Sequence, residues 1–413
     1  MLLKTILNRI ERYSRFVYGE PIFENEALVI PISPRSNSWP VCSGCGQPGG
    51  TYDTAREPRR FQYVPLWGIA VFFLYSMRRV NCSTCGVKTE IVPWAQGKSP
   101  VTTSFTWFLA HWAKRLSWKE TAEAFNTSWE CVFRAVQTAV AWGLKHRTLD
   151  GIEAIGVDEV LWHRGHKYLT VVYEIADGCK RLLWVGEERK EATIRAFFDE
   201  FGDHAKGLKF VCSDMWRPYL KVIAEKASQA IHVLDRFHIM GNVSKAIDEV
   251  RAKEVKQLKE DGYEPILKNS RWLLLKRPEN LTDTQAASMK ELLKYNLRSV
   301  RSYLHKEELN RLWDYTSPAW ADKFLDQWCR NVMRSQIEPL KKVARSLRNH
   351  RPLILNWFRA RGEISSGSVE GLNNKLKLTF RRSYGFRTFP AAQTALYHAM
   401  GRLPEPEQTH RFC

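Results

Sequence analysis

Three short apolar runs in this chain each stop at an aspartate. They are Glu153-Ala-Ile-Gly-Val-Asp158-Glu159, Lys209-Phe-Val-Cys-Ser-Asp214-Met-Trp and Ile231-His-Val-Leu-Asp235-Arg-Phe-His238. Short apolar runs bounded by charged or turn residues read as buried strands. Around them, residues 154–157, 168–175 and 181–186 form three β runs joined by short turns, one at Asp177-Gly178. A helix is expected over 191–201, then a strand at 208–212, a helix at 215–226 and a strand at 230–234.

Three meandering strands followed by strand, helix and strand is the order of an RNase H-like α/β fold. Asp158 then ends the first strand and Asp214 the fourth, and those strands are neighbours at the centre of the sheet. Ligands in open α/β sheets gather at such carboxyl ends. A fourth segment, Ser365-Ser-Gly-Ser-Val-Glu370-Gly-Leu-Asn-Asn, sets a glutamate at the start of a basic helix. Asp158, Asp214 and Glu370 can meet only through folding. Carboxylates so gathered are what hard divalent cations need, and two such ions can clamp the attacking and leaving oxygens of a phosphodiester. Asp158, Asp214 and Glu370 are therefore the expected ligands of Mg²⁺ or Mn²⁺.

Glu159 is the weaker candidate, because neighbouring strand residues point to opposite faces. Asp235 ends the outer strand, farther from Asp158, so Asp214 is preferred. On a helix start, Asp235 and His238 share one face. His238 could orient a scissile phosphate or hydrogen-bond a metal-bound water; a packed core histidine is the bland alternative.

Asn374, Lys377 and Arg381 follow Glu370 at helical spacing, with Asn373 and Lys375 beside them. Arg381-Arg-Ser-Tyr-Gly-Phe-Arg387 continues the basic run with aromatics, which suits backbone contact and stacking. Asn374, Lys375, Lys377, Arg381, Arg382 and Arg387 are thus candidate DNA contacts, against the alternative of a solvated surface helix. The formal net charge of +19 and pI of about 9.6 favour a polyanionic partner, since each cation near a phosphate releases counterions.

Residues 1–35 read as an amphipathic helix and an extended lead containing Pro21, Pro31 and Pro34. Cys42-Ser-Gly-Cys45 and Cys82-Ser-Thr-Cys85 are each followed by a glycine, Gly46 and Gly86, as the left-handed turn of a zinc knuckle requires. Strand-like runs at 61–64 and 69–80 lie between the pairs. Two knuckles around a β-hairpin make a zinc ribbon, with Cys42, Cys45, Cys82 and Cys85 as a closed structural Zn²⁺ site.

Residues 101–147 are helical in period. Ser117 and Glu120 have capping-box spacing, Asn126-Thr-Ser128 makes a turn, and a helix starts at Trp129. Helix, short turn, helix is the helix-turn-helix layout, with Arg134 a candidate DNA contact; an ordinary helical hairpin is the alternative. The expected division is a helix and zinc ribbon at 1–98 and a helix-turn-helix domain at 99–150. The first part of the RNase H-like domain follows at 151–240. An all-helical insertion fills 241–362, with breaks at Ser317-Pro318 and Asn349-His-Arg-Pro352. The closing helices and tail of the RNase H-like domain take 363–413.

No stretch is long and apolar enough to suggest a membrane span, and the N-terminus lacks a signal-peptide pattern. A cytoplasmic, nucleoid-associated protein is expected. There its nine cysteines stay reduced, so paired ones point to metal.

The chain resembles bacterial insertion-sequence transposases with a DDE triad, of the ISL3 family. The resemblance rests on the paired CxxCG knuckles with Arg78-Arg79-Val-Asn-Cys82, Gly156-Val-Asp158-Glu159 and Ser213-Asp214-Met-Trp. It rests equally on Asp235-Arg-Phe-His238, on Val369-Glu370-Gly-Leu-Asn-Asn-Lys375-Leu-Lys377 and on Arg382-Ser-Tyr-Gly-Phe-Arg387. It implies an RNase H-like catalytic domain interrupted before Glu370 and binding to terminal inverted repeats. It also implies Mg²⁺-dependent strand cleavage and joining of 3′ ends to target DNA, by a homodimer or higher oligomer on double-stranded DNA. Two alternatives remain at this point: a silent, domesticated DNA-binding protein acting as repressor or host factor, and an RNase H-like nuclease with other substrates.

Overall fold

Alternation of buried and exposed side chains builds the first sheet, as the two-residue period of a strand requires. The computed structural model describes residues 3–163, 167–176, 178–263, 266–360 and 367–407. Helix α1 (Leu3–Ile10) leads into β1 (Phe16–Tyr18), β2 (Ile22–Glu24) and β3 (Ala27–Pro34). The proline-containing lead is therefore mostly sheet. Next come β4 (Gly50–Thr54), β5 (Arg59–Leu66), β6 (Ile69–Tyr75), β7 (Arg78–Cys82) and β8 (Gly86–Thr89).

These strands form two sheets. One has the order β1-β3-β6-β5, with β2 on β3; the other is β4-β7-β8. The sequence expectation of a single strand-like run at 69–80 is corrected here: β6 joins the first sheet and β7 the second. The hairpin β5–β6 thus lies outside the small sheet that carries the knuckles. Trp94, 1% exposed, fills the core of the first sheet. Phe16, Tyr75, Tyr13 and Phe61 surround it with ring centroids 4.9, 5.2, 5.4 and 6.1 Å away. Such pairs add about 0.5–1.5 kcal/mol each beyond area burial.

Helices α2 (Thr103–Trp112), α3 (Trp118–Ala124) and α4 (Trp129–His146) follow. Both limbs of the expected capping box at Ser117 and Glu120 are present, and Ser128 caps α4 by accepting from the Cys131 amide. Val132, Ala135, Val136, Ala139 and Val140 bury one face of α4, which leaves Arg134 and Gln137 exposed.

The second sheet system has the order β11-β10-β9-β12-β13. Its strands are β9 (Ala154–His163), β10 (Lys167–Glu174), β11 (Arg181–Glu187), β12 (Phe210–Ser213) and β13 (Ile231–Leu234). β9, β10 and β11 pair antiparallel, and β12 joins β9 and β13 in parallel. This mixed topology fits the RNase H-like arrangement. Helices α5 (Glu191–Phe201) and α6 (Arg217–Lys226) cover one face, where Ile155, Val157, Val172, Phe197, Phe198, Tyr219 and Val222 share a core. β9 is longer than the sequence suggested. The charge of Asp158 ended the apolar run, but backbone pairing with β10 continues to His163. Asp177 of the expected 177–178 turn lies outside the described residues.

Residues 236–359 contain helices α7 (Arg236–Glu260), α8 (Arg271–Leu275), α9 (Asp283–Leu292), α10 (Arg298–Asn310), α11 (Pro318–Arg334), α12 (Glu338–Asn349) and α13 (Arg351–Arg359). No strand occurs among the described residues of this stretch. It has its own core around the fully buried Trp328. Of the small-residue link expected at 362–367, all but Gly367 lies outside the described residues, Ser365 and Ser366 included. The chain closes with α14 (Gly367–Arg382) and α15 (Phe389–Met400). By internal contacts it forms two units, Met1–Arg147 with Arg381–Cys413, and Thr148–Phe380. The closing segment 363–413 is therefore divided: residues from Arg381 on belong to the first unit, where Phe386 packs on Trp118.

Candidate active site

Strand register sets the acidic residues in a row. The parallel ladder of β12 on β9 ends at Cys212↔Gly156, two residues before both Asp214 and Asp158. The ladder of β12 on β13 ends at Ser213↔Leu234, one residue before both Asp214 and Asp235. Three aspartates thus reach the same level on three adjacent strands. Asp158 stands within β9 and not at its end, a correction to the sequence reading. It is 5% exposed.

Asp158 Oδ1 accepts the backbone N–H of Glu159 at 2.7 Å and lies 3.5 Å from His238 Nε2. Asp158 Oδ2 accepts from the amide of Asn373. Asp214 Oδ1 accepts the N–H of Trp216 at 2.9 Å. Burial pushes its carboxyl up to about 6, with the neighbouring Glu159 and Asp158 charges adding to the rise. Asp235, 6% exposed, caps α7 by accepting from Phe237 N at 2.8 Å. Burial raises its pKa too, and Asp158 and Glu370 contribute in the same direction. Asp235 is thus closer to this set, electrostatically, than its outer strand suggested. His238 is raised to about 9, first by its bond to Asp158 and then by the charges of Asp158, Asp235 and Asp214.

Glu370 stands exposed on the first turn of α14. Among the described residues, no three acidic or histidine groups bring their ligand atoms within 4.8 Å of one another. The carboxylates are clustered by level and by mutual charge, and not closed into a cage. Buried carboxylates whose pKa values are raised by burial and by one another suit a hard divalent cation, which would relieve that repulsion.

Glu159, whose charge also acts on Asp214, accepts at its Oε1 from Arg189 Nη1 at 2.9 Å. The Arg189 guanidinium lies over Tyr168 and Trp216, 4.3 and 5.0 Å from their ring centroids.

The four cysteines form a separate centre. The ligand atoms of Cys42, Cys45, Cys82 and Cys85 all lie within 4.8 Å of one another. Gly46 and Gly86 take φ of 71° and 70° after the two pairs, as the knuckle turns demand. Backbone N–H groups of Cys85 and Thr84 lower the Cys82 thiol to about 7, while the neighbouring sulfurs hold Cys85 up at about 12. Four thiols this close cannot all ionise unless a cation joins them, which fits a tetrahedral Zn²⁺.

The family model for ISL3 DDE transposases matches residues 155–396, a span that holds every acidic residue of this row. The chain belongs to the ISL3 transposase family. Among curated proteins, it is 32% identical to the transposase for insertion sequence element IS1001 of Bordetella parapertussis, over 80% of this chain and 81% of that one. It is 28% identical to the transposase for IS1557 of Mycobacterium tuberculosis, over 89% of this chain and 87% of that one. Among solved structures, the Drosophila P element transposase strand transfer complex aligns with a TM-score of 0.40 at 9% identity, covering 74% of this chain and 92% of that one.

The remaining residues expected at the transposase's DNA surface are placed as follows. On α14, Ser368, Val369, Leu372, Asn373 and Leu376 are buried, which leaves Glu370, Asn374, Lys375, Lys377, Arg381 and Arg382 exposed. Asn373, grouped by sequence with the basic stripe, in fact turns inward. Arg387 is exposed. Arg134, with its side chain 74% exposed, stands 4.0 Å from Glu130 on the same helix. Sequence reasoning missed three supports of Asp158: Asn373, Tyr173 and Gly156. Only the spacing of Asn373 three residues after Glu370 could have hinted at the first.

His238 also gives a pH prediction. Its folded pKa of about 9 exceeds the usual 6.5, so its proton stabilises the fold. That contribution is complete below pH 6.5 and is lost as pH rises through about 9. With divalent cation omitted, the melting temperature of the transposase should fall across this window, and His238→Gln should lose that part of the fall. Identical profiles for the two proteins would remove His238 from the Asp158 network.

Proposed function

We propose that this transposase binds the terminal inverted repeats of an insertion sequence, cleaves the strands at its ends and joins the 3′ ends to target DNA. The observation that carries the reading is the register that brings Asp158, Asp214 and Asp235 level on adjacent strands, within the matched family span. Asp158, Asp214 and Glu370 would hold Mg²⁺ or Mn²⁺. When bound, the ions would supply the positive charge that attacking and leaving phosphodiester oxygens need. Asp158 is positioned by its neighbours, Asp214 would hold the cation through its ionised carboxylate, and Glu370 would contribute from the exposed rim. His238 offers an imidazolium N–H to a phosphate oxygen beside Asp158.

Recognition is assigned to the helix pair α3–α4, with the exposed face of α4 and Arg134 toward the major groove. Zn²⁺ in the cysteine cluster holds the ribbon. Joining requires two ends at once, so a dimer or larger assembly on double-stranded DNA is inferred, working in the cytoplasm at the nucleoid.

The test uses DNA from the flanks of the gene, where imperfect inverted repeats are expected under this reading. Purified protein with Mg²⁺ should nick at the repeat boundary and produce joined products with a target plasmid. Sequence-specific binding without any cleavage would instead indicate a silent DNA-binding protein. Lys377 and Asn374 lie on the same exposed stripe of α14 as Glu370. Lys377→Ala should slow strand joining and reduce the salt slope of binding by about one unit, the signature of one lost phosphate contact. Silence in both measurements would make this stripe a solvated face.

A further inference from the structure

Helix α14 lies on strand β9 at a point where the strand, at Gly156, offers no side chain of its own. A Cβ built on Gly156 would meet Val369 Cγ2 at 2.5 Å and Ile175 Cγ2 at 3.2 Å. Glycine is therefore the residue that lets Val369 drop onto the strand. Four residues further along the helix is Asn373, and two residues further along the strand is Asp158. A helix rises about 1.5 Å per residue and a strand about 3.3 Å, so the two steps span about 6 and about 6.6 Å. The contact Val369–Gly156 is thus repeated, one step on, by Asn373 and Asp158. There the Asn373 amide N–H₂ donates to Asp158 Oδ2.

The orientation of that amide is not free. Tyr173, across from Gly156 on β10, donates its hydroxyl to Asn373 Oδ1 at 2.9 Å. Tyr173 is fully buried and Asn373 is 8% exposed. With the oxygen taken, the amide can present only its N–H₂ to Asp158. A tyrosine hydroxyl bonded this way leaves no second orientation that satisfies all three groups. Lone pairs of Asp158 beyond those used by Asn373 and the Glu159 amide remain for other partners.

We propose that Asn373, oriented by Tyr173, is the positioning residue of this active site. It fixes the rotation of the Asp158 carboxylate and ties α14, which carries Glu370 one turn earlier, to the strand that carries Asp158. The inference rests on the reading of Asp158 and Glu370 as cation ligands. Asn373 does not touch substrate; it acts by setting two ligands at one spacing before a cation arrives. Groups in this supporting role change metal affinity by about 10–100-fold when removed.

The test is a Mn²⁺ titration of strand cleavage on terminal-repeat DNA, paired with calorimetric Mn²⁺ binding to the zinc-loaded protein without DNA. Asn373→Ala should raise the half-saturating Mn²⁺ concentration about 10–100-fold in both measurements, with repeat binding unchanged. Tyr173→Phe fills the same space but frees the amide to turn over, so it should shift both in the same direction by a smaller factor. An unchanged Mn²⁺ requirement in Asn373→Ala would overturn the proposal and make the contact plain packing. If Asn373→Ala fails to fold, Tyr173→Phe decides alone: a shift supports positioning and no shift ends it. Asp158→Asn serves as the control. If that variant cleaves normally, the active-site reading itself has failed; if it is inactive while the Asn373 and Tyr173 variants behave as wild type, only the positioning role has.

Discussion

Asp158→Asn should abolish strand cleavage while leaving terminal-repeat binding intact. Asp158 is the member of the acidic row with the most constrained surroundings: the Glu159 amide, Asn373 and His238 all meet its carboxylate. Asparagine keeps the shape but loses one acceptor oxygen and the charge. Loss of a residue that merely supports a metal site costs about 10–100-fold, so loss of a direct carboxylate ligand should cost at least about 10³-fold. The fold should survive, because β9 pairs with β10 and β12 through its backbone. Asp214→Asn and Glu370→Gln should give the same pattern, whereas Asp235→Asn separates two roles. Asparagine caps a helix as well as aspartate does, so Asp235→Asn should leave stability nearly unchanged and reduce cleavage less than the other three, whereas Asp235→Ala, which removes the cap of α7, should cost about 1 kcal/mol of stability. The assay is a gel measurement of nicking on labelled repeat DNA alongside a binding shift. Nicking at the wild-type rate by Asp158→Asn would sink the assignment of the whole row.

Much of this site was legible because its strands are buried on both faces. Such strands write themselves as continuous apolar runs, and each run stopped where a charge entered. The order of elements then supplied the topology, and adjacent strands in parallel supplied the level of Asp158 with Asp214. The same rule misjudged β9, whose outer half carries Glu159 and exposed Leu161 yet still pairs along β10. It also joined β6 to β7, because the apolar run of β6 continues through Ser76-Met77 without a turn residue, whereas the strand breaks there and the two halves enter different sheets. Prolines at 21, 31 and 34 hid β2 and β3, although an extended backbone tolerates proline where its neighbour does not need the N–H. The inward turn of Asn373 was invisible for a different reason. Asn373 and Asn374 are the same residue type side by side, and only the tertiary seat of α14 over Gly156 decides which one is buried.

Removing zinc should unfold the small sheet and leave the neighbouring one standing. The core of β4-β7-β8 consists of Cys42, Val80 and Cys82 with Cys85 packed against them, so three of its four members are the proposed ligands. Apolar burial on this scale cannot offset the conformational entropy of ordering three strands. In zinc-finger peptides, structural Zn²⁺ supplies about 10–16 kcal/mol of apparent binding free energy at neutral pH, and that energy is folding energy. The sheet β1-β3-β6-β5 has the aromatic cluster around Trp94 instead. The two are joined through Arg78, whose guanidinium pairs with the fully buried Glu90 at 2.8 Å, while Tyr75 of β6 donates to the same carboxylate. That junction should be the limit of the unfolded region. Purified protein should contain one Zn²⁺ per chain, and Cys82→Ser should lower that content and open protease sites in residues 42–54 and 78–89, the stretches of the small sheet, but not in β5 or β6. The region around Trp94 should stay resistant, and Mn²⁺ binding at the acidic row should persist. A zinc-free protein with an unchanged protease pattern would show that the four thiols hold the ribbon without a metal.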